Sequence, residues 1–576
     1  MGKVKGVALF ALAAATALAA VGCSTSKPGS GASASPAGSA AAASPGASAP
    51  AASGGDFAKK LEIRWSGWLA RGKAEETNKV QAKLEQKFNV KLVNKKFDNT
   101  NKEQVSLLLA SGELPDATFL PGQDPYKLYN DQLTRTIPRS MIEKYAPNYA
   151  ALLNSAAVGW KINQVPGKPN EYVALTGVTD WLLDMLTLQV YRLDWMEKLG
   201  IKPKGDIVQI GAKGDASKLY FTKEAFTLAE EEKMFDAFVN GDPDGNGKKD
   251  TFAVDFSQDG GNSFQNYAGA FGFGWGYNLE ENGKVVEYNI SGKYKELLKK
   301  LAEWYKKGYI DPEFPTLNRN KAWEKFAAGA YGAAQSATES AGSLPFTYNR
   351  PPNNLLAKDP NTKFLFAPPP IGPNGDQGNN AYTQIEGDAF GDNFMIRKDV
   401  SDEKLIRILQ MLDYISFDKD AYIFTNFGEE GVDFTWEGEP NKSAVLPKWS
   451  EPERDQRGIG YYNFVIRPGN TTYLWNPQAM IKLHDLYTGL PDVRSKKLYR
   501  PYKVDRFNET NYLALRTKNG AKLDTIRDEF FYKAVIGEVN IDAKWDEYVN
   551  NWLNSGGKEL LAELEKAPKQ SDLSKK

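Results

Sequence analysis

Asp242-Pro243-Asp244-Gly245-Asn246-Gly247-Lys248-Lys249-Asp250 sets oxygen-bearing side chains at positions 1, 3, 5 and 9 of a short loop, with glycines to bend it. A hard cation such as Ca2+ takes about six to eight oxygens at roughly 2.3–2.6 Å, some of them backbone carbonyls. Asp242, Asp244, Asn246 and Asp250 are therefore candidate ligands, and Lys248 can offer its carbonyl without using its side chain. Position 12, where an EF-hand carries a bidentate Glu, is Ala253, and Phe252 to Phe256 reads as a strand. A helix-loop-helix is thus not expected, and the competing reading is a metal-free Asp/Gly turn.

A second group of residues suits sugars. The C–H face of a sugar ring packs on Trp and Tyr, while its hydroxyls take planar amides, carboxylates and Arg. The chain has 13 Trp, a surplus that needs a large core or a ligand with flat faces. In Phe271-Gly272-Phe273-Gly274-Trp275-Gly276-Tyr277, glycines surround an indole, which makes Trp275 and Tyr277 the first candidates. The spacing is G-x-G-x-G with no helix pattern after it, so this is not a dinucleotide fingerprint. Trp65 and Trp68 come second, in the loop after the first strand, and Tyr473-Leu474-Trp475 and Tyr461-Tyr462-Asn463 follow. The polar candidates are Gln123, Asp124, Arg192, Gln335 and Glu386, each near a strand end or a hinge segment. The alternative for each is an ordinary core aromatic, a buried turn or, for Arg192, a surface pair with Asp194 or Glu197.

Composition removes other chemistries. One His and one Cys leave almost nothing for a His-based triad, a multi-His metal site or an intrachain disulfide. With 72 basic and 72 acidic residues the net charge is zero, against the basic stripe of a nucleic-acid binder. No G-x-S-x-G elbow, HExxH or Walker loop is present.

The N-terminus points to a compartment. Lys3 and Lys5 precede an uncharged Ala/Leu/Val-rich run from Gly6 to Gly22, shorter than the roughly 20 apolar residues of a membrane span but suited to a signal-peptide core. Ala20-Val21-Gly22-Cys23 resembles a bacterial lipobox, with Ala20 where Leu is usual. Cys23 is then expected to carry a lipid and become the mature N-terminus. Residues 24–55 are nearly all Ser, Ala, Gly and Pro and cannot bury enough surface to fold. The expected order is a leader over 1–22, a lipidated tether over 23–56, then a globular body.

Along that body the hydrophobic period alternates between strand and helix. Leu61 to Trp65, Val90 to Val93, Asp116 to Leu120 and Leu186 to Arg192 read as strands. Between and after them, Glu75 to Phe88, Val105 to Leu109, Asp194 to Leu199 and Tyr294 to Tyr305 read as helices, and Thr227-Leu228-Ala229-Glu230 reads as a capping box. This is an α/β pattern of parallel βαβ units, in which ligands bind beyond the carboxyl ends of the strands.

Several segments resemble, in order, the extracellular solute-binding lipoproteins of family 1. They are Lys87-Phe88-Asn89-Val90, Leu109 to Asp116, Tyr191 to Gly200, Gly308 to Phe314, Phe326 to Ala330 and Asn426-Phe427-Gly428-Glu429-Glu430-Gly431. The resemblance implies a two-lobed periplasmic-binding-protein-like fold with hinge strands and a central ligand cleft. Placed on the family's crossing strands, lobe one takes 57–185 plus 336–398, and lobe two takes 186–335 plus 399–576. It further implies a monomer that captures a carbohydrate by lobe closure and delivers it to the permease of an ABC importer, outside the cell membrane. The metal loop is similar to the calcium loop of the large subgroup that includes alginate-oligosaccharide binders. There an acidic residue often follows the last Asp, where this chain has Thr251. Two rivals stand beside this expectation: a secreted glycosidase or lyase, since 72 acidic residues leave room for a catalytic pair, and a peptide- or metal-ion-binding lipoprotein.

Overall fold

The computed structural model describes residues 57–67, 74–99, 101–155, 159–179, 185–211, 215–258, 261–276, 278–337, 350–378, 381–382, 390–494 and 510–567. The expected leader, Cys23 and the tether lie outside the described residues, as do Trp68, Tyr277 and Glu386. Among the described residues no helix is long and apolar enough to cross a membrane.

Two large sheets organise the body. In chain order their strands are β1 (Leu61–Ser66), β2 (Val90–Asn94), β3 (Ala117–Phe119), β4 (Leu175–Thr179), β5 (Met185–Arg192), β6 (Ile207–Gln209), β7 (Leu219–Thr222), β8 (Phe252–Val254), β9 (Tyr331–Ala337), β10 (Phe364–Ala367), β11 (Ala381–Tyr382), β12 (Phe390–Ile396) and β13 (Ile466–Arg467). The first sheet runs β2-β1-β3-β12-β4-β13 and the second β8-β9-β5-β10-β7-β6, with β11 on β5. Strands β1, β2 and β3 are mutually parallel, and β12 runs against β3. In the second sheet β5 is antiparallel to both β9 and β10.

Local sequence accounts for these elements. Leu61, Ile63 and Trp65 alternate inward along β1. The helix Lys79–Phe88 starts where Asn78 accepts from the Gln81 N–H and stops at left-handed Asn89, burying Val80, Leu84 and Phe88. Glycine at position 112, with φ +68, ends Lys102–Ser111. The capping box forms as the spacing predicts, Thr227 and Glu230 each bonding the other's backbone N–H.

Sheet membership redraws the expected lobe boundaries. Strand β10, assigned to lobe one from the sequence, pairs in the second sheet between β5 and β7. The helix Asp402–Phe417 and residues Tyr461 to Ile466, assigned to lobe two, pack in the first sheet's core through Leu405, Ile408, Leu412 and Tyr462. The chain therefore passes to the second sheet between β4 and β5, returns between β11 and β12, and passes again between β13 and the helix Gln478–Thr488. That helix buries Leu483 and Tyr487 against Leu188 and Val190 of β5. The expected boundaries came from placing the hinge on the family's crossing strands, and local sequence carries no information on which sheet a later strand of this chain joins.

The recurrent segments prove to be structural. Asp116 is fully buried; its oxygens accept from Arg397 (2.9 Å), Lys404 (2.9 Å) and the Arg64 N–H (3.1 Å), which ties β1, β3, β12 and the helix Asp402–Phe417 together. Burial pushes its carboxyl up, but these donors outweigh it and hold the group below the usual carboxylate range. In Gly308 to Phe314, Asp311 accepts from Tyr331 and Lys325, both at 2.7 Å. Gly428 has φ +88, and a Cβ there would lie 2.5 Å from the Asp433 carboxylate.

Candidate functional site

The strand ends bring together only some of the expected residues. Beyond β3 the chain turns at Leu120, whose carbonyl accepts from the Gln123 N–H. Asp124 follows; its Oδ1 accepts from the Tyr126 N–H to cap the helix Pro125–Asn130. Its Oδ2 accepts from Thr517 Oγ1 at 2.7 Å. Thr517 lies on the helix Thr510–Val535, which packs through Phe530 and Phe531 into the core beneath the second sheet. Gln123 and Asp124 are half-buried on the side of the first sheet that meets the second sheet's helices, as the α/β rule requires. Asn99, which the sequence reading passed over, donates to the carbonyls of Gly67 and Phe119 at 3.3 Å and joins the loops after β1 and β3.

Trp65 is not part of this surface. Its exposure is 0%; Phe464 meets it edge-on at 5.1 Å, with Phe394 and Tyr462 alongside. Its Nε1 donates to the Tyr461 carbonyl, and Tyr461 Oη donates back to the Trp65 carbonyl. A Cβ on Gly67 would fall 1.6 Å from the Tyr461 oxygen, so the loop needs glycine to lie so close. The expectation for Trp65 fails because a segment nearly 400 residues away covers it.

On the second sheet, β9 and β5 bring Gln335 opposite Gln189. Gln335 Oε1 accepts from the Asn266 N–H (3.2 Å), Asn266 Nδ2 donates to Gln189 Oε1 (3.1 Å), and Gln189 Nε2 donates to Tyr267 Oη (2.5 Å). Asn266 Oδ1 and Gln335 Nε2 are buried without a partner among the described residues. This amide row, of which the sequence reading named only Gln335, holds donors and acceptors ready for hydroxyls. Asp255, one residue past β8, is buried, and desolvation pushes its carboxyl well above the usual range.

The glycine-rich loop is less open than its sequence suggests. Phe273 is core, and Trp275 stacks on Phe264 (4.8 Å, 24°) with Tyr288, Tyr294 and Phe531 around it. The indole remains half-buried. Bulky neighbours arrive from distant segments, including the helix Thr510–Val535, and the expectation of an indole without them is corrected. Arg192 is also structural: it is buried, forms a fork with Asp194 (2.9 and 2.6 Å) and lies over the Trp195 ring at 4.4 Å. Trp475 packs at 4.5 Å from Phe427 under the Arg467 guanidinium, and its Nε1 donates to Tyr422 Oη. The single histidine, His484, is nearly buried in the helix Gln478–Thr488.

The acidic loop keeps its expected shape. Asp242 Oδ1 and Oδ2 accept from the Gly245 and Gly247 N–H groups. Asn246 Nδ2 donates to Asp244 (2.6 Å) and Asp250 (3.2 Å), so an amide nitrogen stands where two carboxylates converge. That convergence, with the neighbouring carbonyl of Lys248, fits a hard cation. Among the described residues, no group of three or more His, Cys, Asp or Glu is arranged to hold a metal; here Asp244 and Asp250 converge on Asn246, while Asp242 turns its oxygens to the Gly245 and Gly247 N–H groups. Thr251 does not join them. Its hydroxyl donates to the Phe238 carbonyl (2.8 Å) at the end of the helix Leu228–Asn240, and it is buried.

Two α/β sheets joined by three passages of the chain, and linked beyond β3 by Asp124 and Thr517, make the fold of two-lobed solute-binding proteins. Two solved structures match it over 88% of this chain. One is the alginate-binding protein AlgQ2 without calcium ion (TM-score 0.62, 18% identity, 97% of that chain). The other is the Streptococcus pneumoniae ABC-transporter substrate-binding protein FusA with kestose (TM-score 0.66, 20% identity, 98% of that chain); FusA has also been solved as an EF-hand mutant. In sequence the chain is 26% identical over 388 residues to the polygalacturonan/rhamnogalacturonan-binding protein YtcQ of Bacillus subtilis, covering 66% of this chain and 68% of that one. It is 22% identical over 484 residues to lipoprotein LipO of the same organism, covering 81% and 84%. No family model matches the chain.

Proposed function

We propose that this protein is the extracytoplasmic substrate-binding component of an ABC importer, that it holds an oligosaccharide between its two lobes, and that it releases the sugar unchanged. The observation that carries this reading is the pairing of Asp124 at the end of β3 with Thr517 on the helices of the second lobe. A contact of this kind forms when the lobes approach, so ligand binding and closure share one equilibrium. In the amide row Asn266 Oδ1 and Gln335 Nε2 are the atoms left for hydroxyls, and the partly buried Trp275 supplies an indole surface. Relatives that bind pectic and fructose-based glycans support a carbohydrate over a peptide. In this reading Cys23 carries the lipid, as the likeness to LipO supports, the protein acts as a monomer, and the permease is a separate chain.

Asp242, Asp244, Asn246, Asp250 and the Lys248 carbonyl would hold a calcium ion, with Thr251 excluded. Calcium supplies charge neutralisation to an otherwise self-repelling loop, and its role is structural.

Calorimetry with oligogalacturonides, rhamnogalacturonan fragments and fructooligosaccharides, followed by mass spectrometry of the recovered sugar, tests the reading. Saturable one-to-one heat with intact sugar supports it. Shortened or unsaturated products would establish the glycosidase or lyase alternative instead, and heat with peptide mixtures alone would point to a peptide binder.

A further inference from the structure

A pocket of about 280 Å3 lies entirely within residues 416–474, and none of its lining residues belongs to the Asp124–Thr517 contact or the amide row. Ser416 and Phe417 end the helix Asp402–Phe417, Lys419 and Tyr422 open the next one (Lys419–Phe427), and Asn470 to Leu474 belong to the 3-10 segment Gly469–Leu474. Asn441, in the left-handed conformation at the turn between Phe434–Trp436 and Val445–Pro447, closes the side. The pocket is built rather than incidental. Ser416 is 2% exposed, and its hydroxyl is buried with no hydrogen-bond partner among the described residues. A helical Ser commonly bonds back to its own turn, and a buried hydroxyl left unmade is costly. Beside it, Tyr422 and Thr471 are buried, while Asn441 and Asn470 stand exposed at the mouth with Tyr473 half-buried between floor and rim.

We infer that this pocket is a second, independent site for a single sugar ring. Phenyl and phenol surfaces from Phe417, Tyr422 and Tyr473 offer packing for a C–H face. Two amides at the mouth and the Ser416 hydroxyl at the floor match a ligand that is itself ringed with hydroxyls, while Thr471 Oγ1 is committed to the Pro468 carbonyl. Its volume falls just below the roughly 300–1,000 Å3 of drug-sized sites, which suits one ring and excludes a chain threaded through it. The lining has one cation, Lys419, and no carboxylate, so a uronate is accepted as well as a neutral hexose. The site sits where the chain leaves β13 for the second lobe, and Tyr422 Oη accepts from Trp475 Nε1 on that passage.

The test is saturation-transfer NMR on the full chain with D-galactose, D-glucose and D-galacturonate as separate probes. Asn470→Trp plugs the mouth from an exposed position, and Ser416→Ala removes the floor hydroxyl at constant shape. The expected result is transfer to at least one ring. It should fall fivefold or more in Asn470→Trp, and Ser416→Ala should weaken affinity at least threefold without lowering Tm. No transfer to any of the three probes overturns the proposal, as does transfer unchanged in Asn470→Trp, which would put the ring elsewhere. Oligosaccharide heat in the inter-lobe site is read separately, so failure of one site leaves the other standing.

Discussion

Thr517 Oγ1 donates to Asp124 Oδ2 at 2.7 Å across 393 positions of sequence, linking the carboxyl end of β3 to a helix of the opposite lobe. Asp124 also caps its own helix, so replacing it mixes two effects; Thr517→Val removes the link alone. A net hydrogen bond contributes about 0.5–1.5 kcal/mol, which corresponds to an expected loss of roughly two- to tenfold in oligosaccharide affinity. Small-angle scattering should show a larger radius of gyration for the ligand-free variant, with Tm little changed. Equal affinity and equal radius would mean that the contact plays no part in closure.

Much of this could be read in advance. Leu61-Ile63-Trp65, the Thr227–Glu230 box and the stop at Gly112 are local, and local signals determine element type. The position of Gln123 and Asp124 just past β3 was legible in the same way, since a residue just past a parallel strand needs only its own strand to be recognised. The burial of Trp65 and the bulky neighbours of Trp275 escaped the sequence for the opposite reason: Tyr461 covers the first and Phe531 packs on the second, and neither partner is within 250 positions. Asn266 gave no signal at all. It reaches Gln189 and Gln335 from a helix whose sequence, Gly261–Ala270, carries no motif.

The burial of Trp65 separates stability from binding. Trp65→Ala should cost about 3–5 kcal/mol in urea unfolding, the range for emptying a large aromatic from a core. The folded fraction should bind oligosaccharide with unchanged affinity. Trp275→Ala should lower both stability and affinity, while Trp275→Phe restores most of the stability and little of the affinity. A binding loss in Trp65→Ala matching that of Trp275→Ala would place Trp65 in the site after all.

Calcium in the acidic loop makes a simple thermal prediction. Ligand at a hundredfold over its Kd stabilises by about 2.7 kcal/mol, so chelator should lower Tm by several degrees. Asp244→Asn should abolish that difference, because Asp244 is one of the two carboxylates that converge on Asn246. Thr251→Val should keep it, since that hydroxyl is committed to Phe238. An identical melt with and without chelator would leave the loop as an ordinary turn.

Glu231 gives the lobe-two core a pH dependence. It is fully buried on the capping-box helix, and Tyr191 Oη donates to its Oε1. Desolvation pushes its carboxyl up from an ordinary 4.5 to about 8, against the opposing effect of the Tyr191 bond. A folded-state value above the unfolded one means that the native protein holds the proton longer, so this group's stabilising contribution is complete below about pH 4.5. It is lost as pH rises toward 8, at up to about 1.4 kcal/mol per pH unit. Glu231→Gln keeps the acceptor for Tyr191 and has no charge to bury. The stability difference between variant and native protein, measured by urea unfolding from pH 5 to 8.5, should therefore grow in the variant's favour up to about pH 8 and then level. Asp255, shifted in the same direction, is present in both proteins and cancels in that difference. A difference that stays flat across the range would show that Glu231 ionises in the fold as readily as in the unfolded chain.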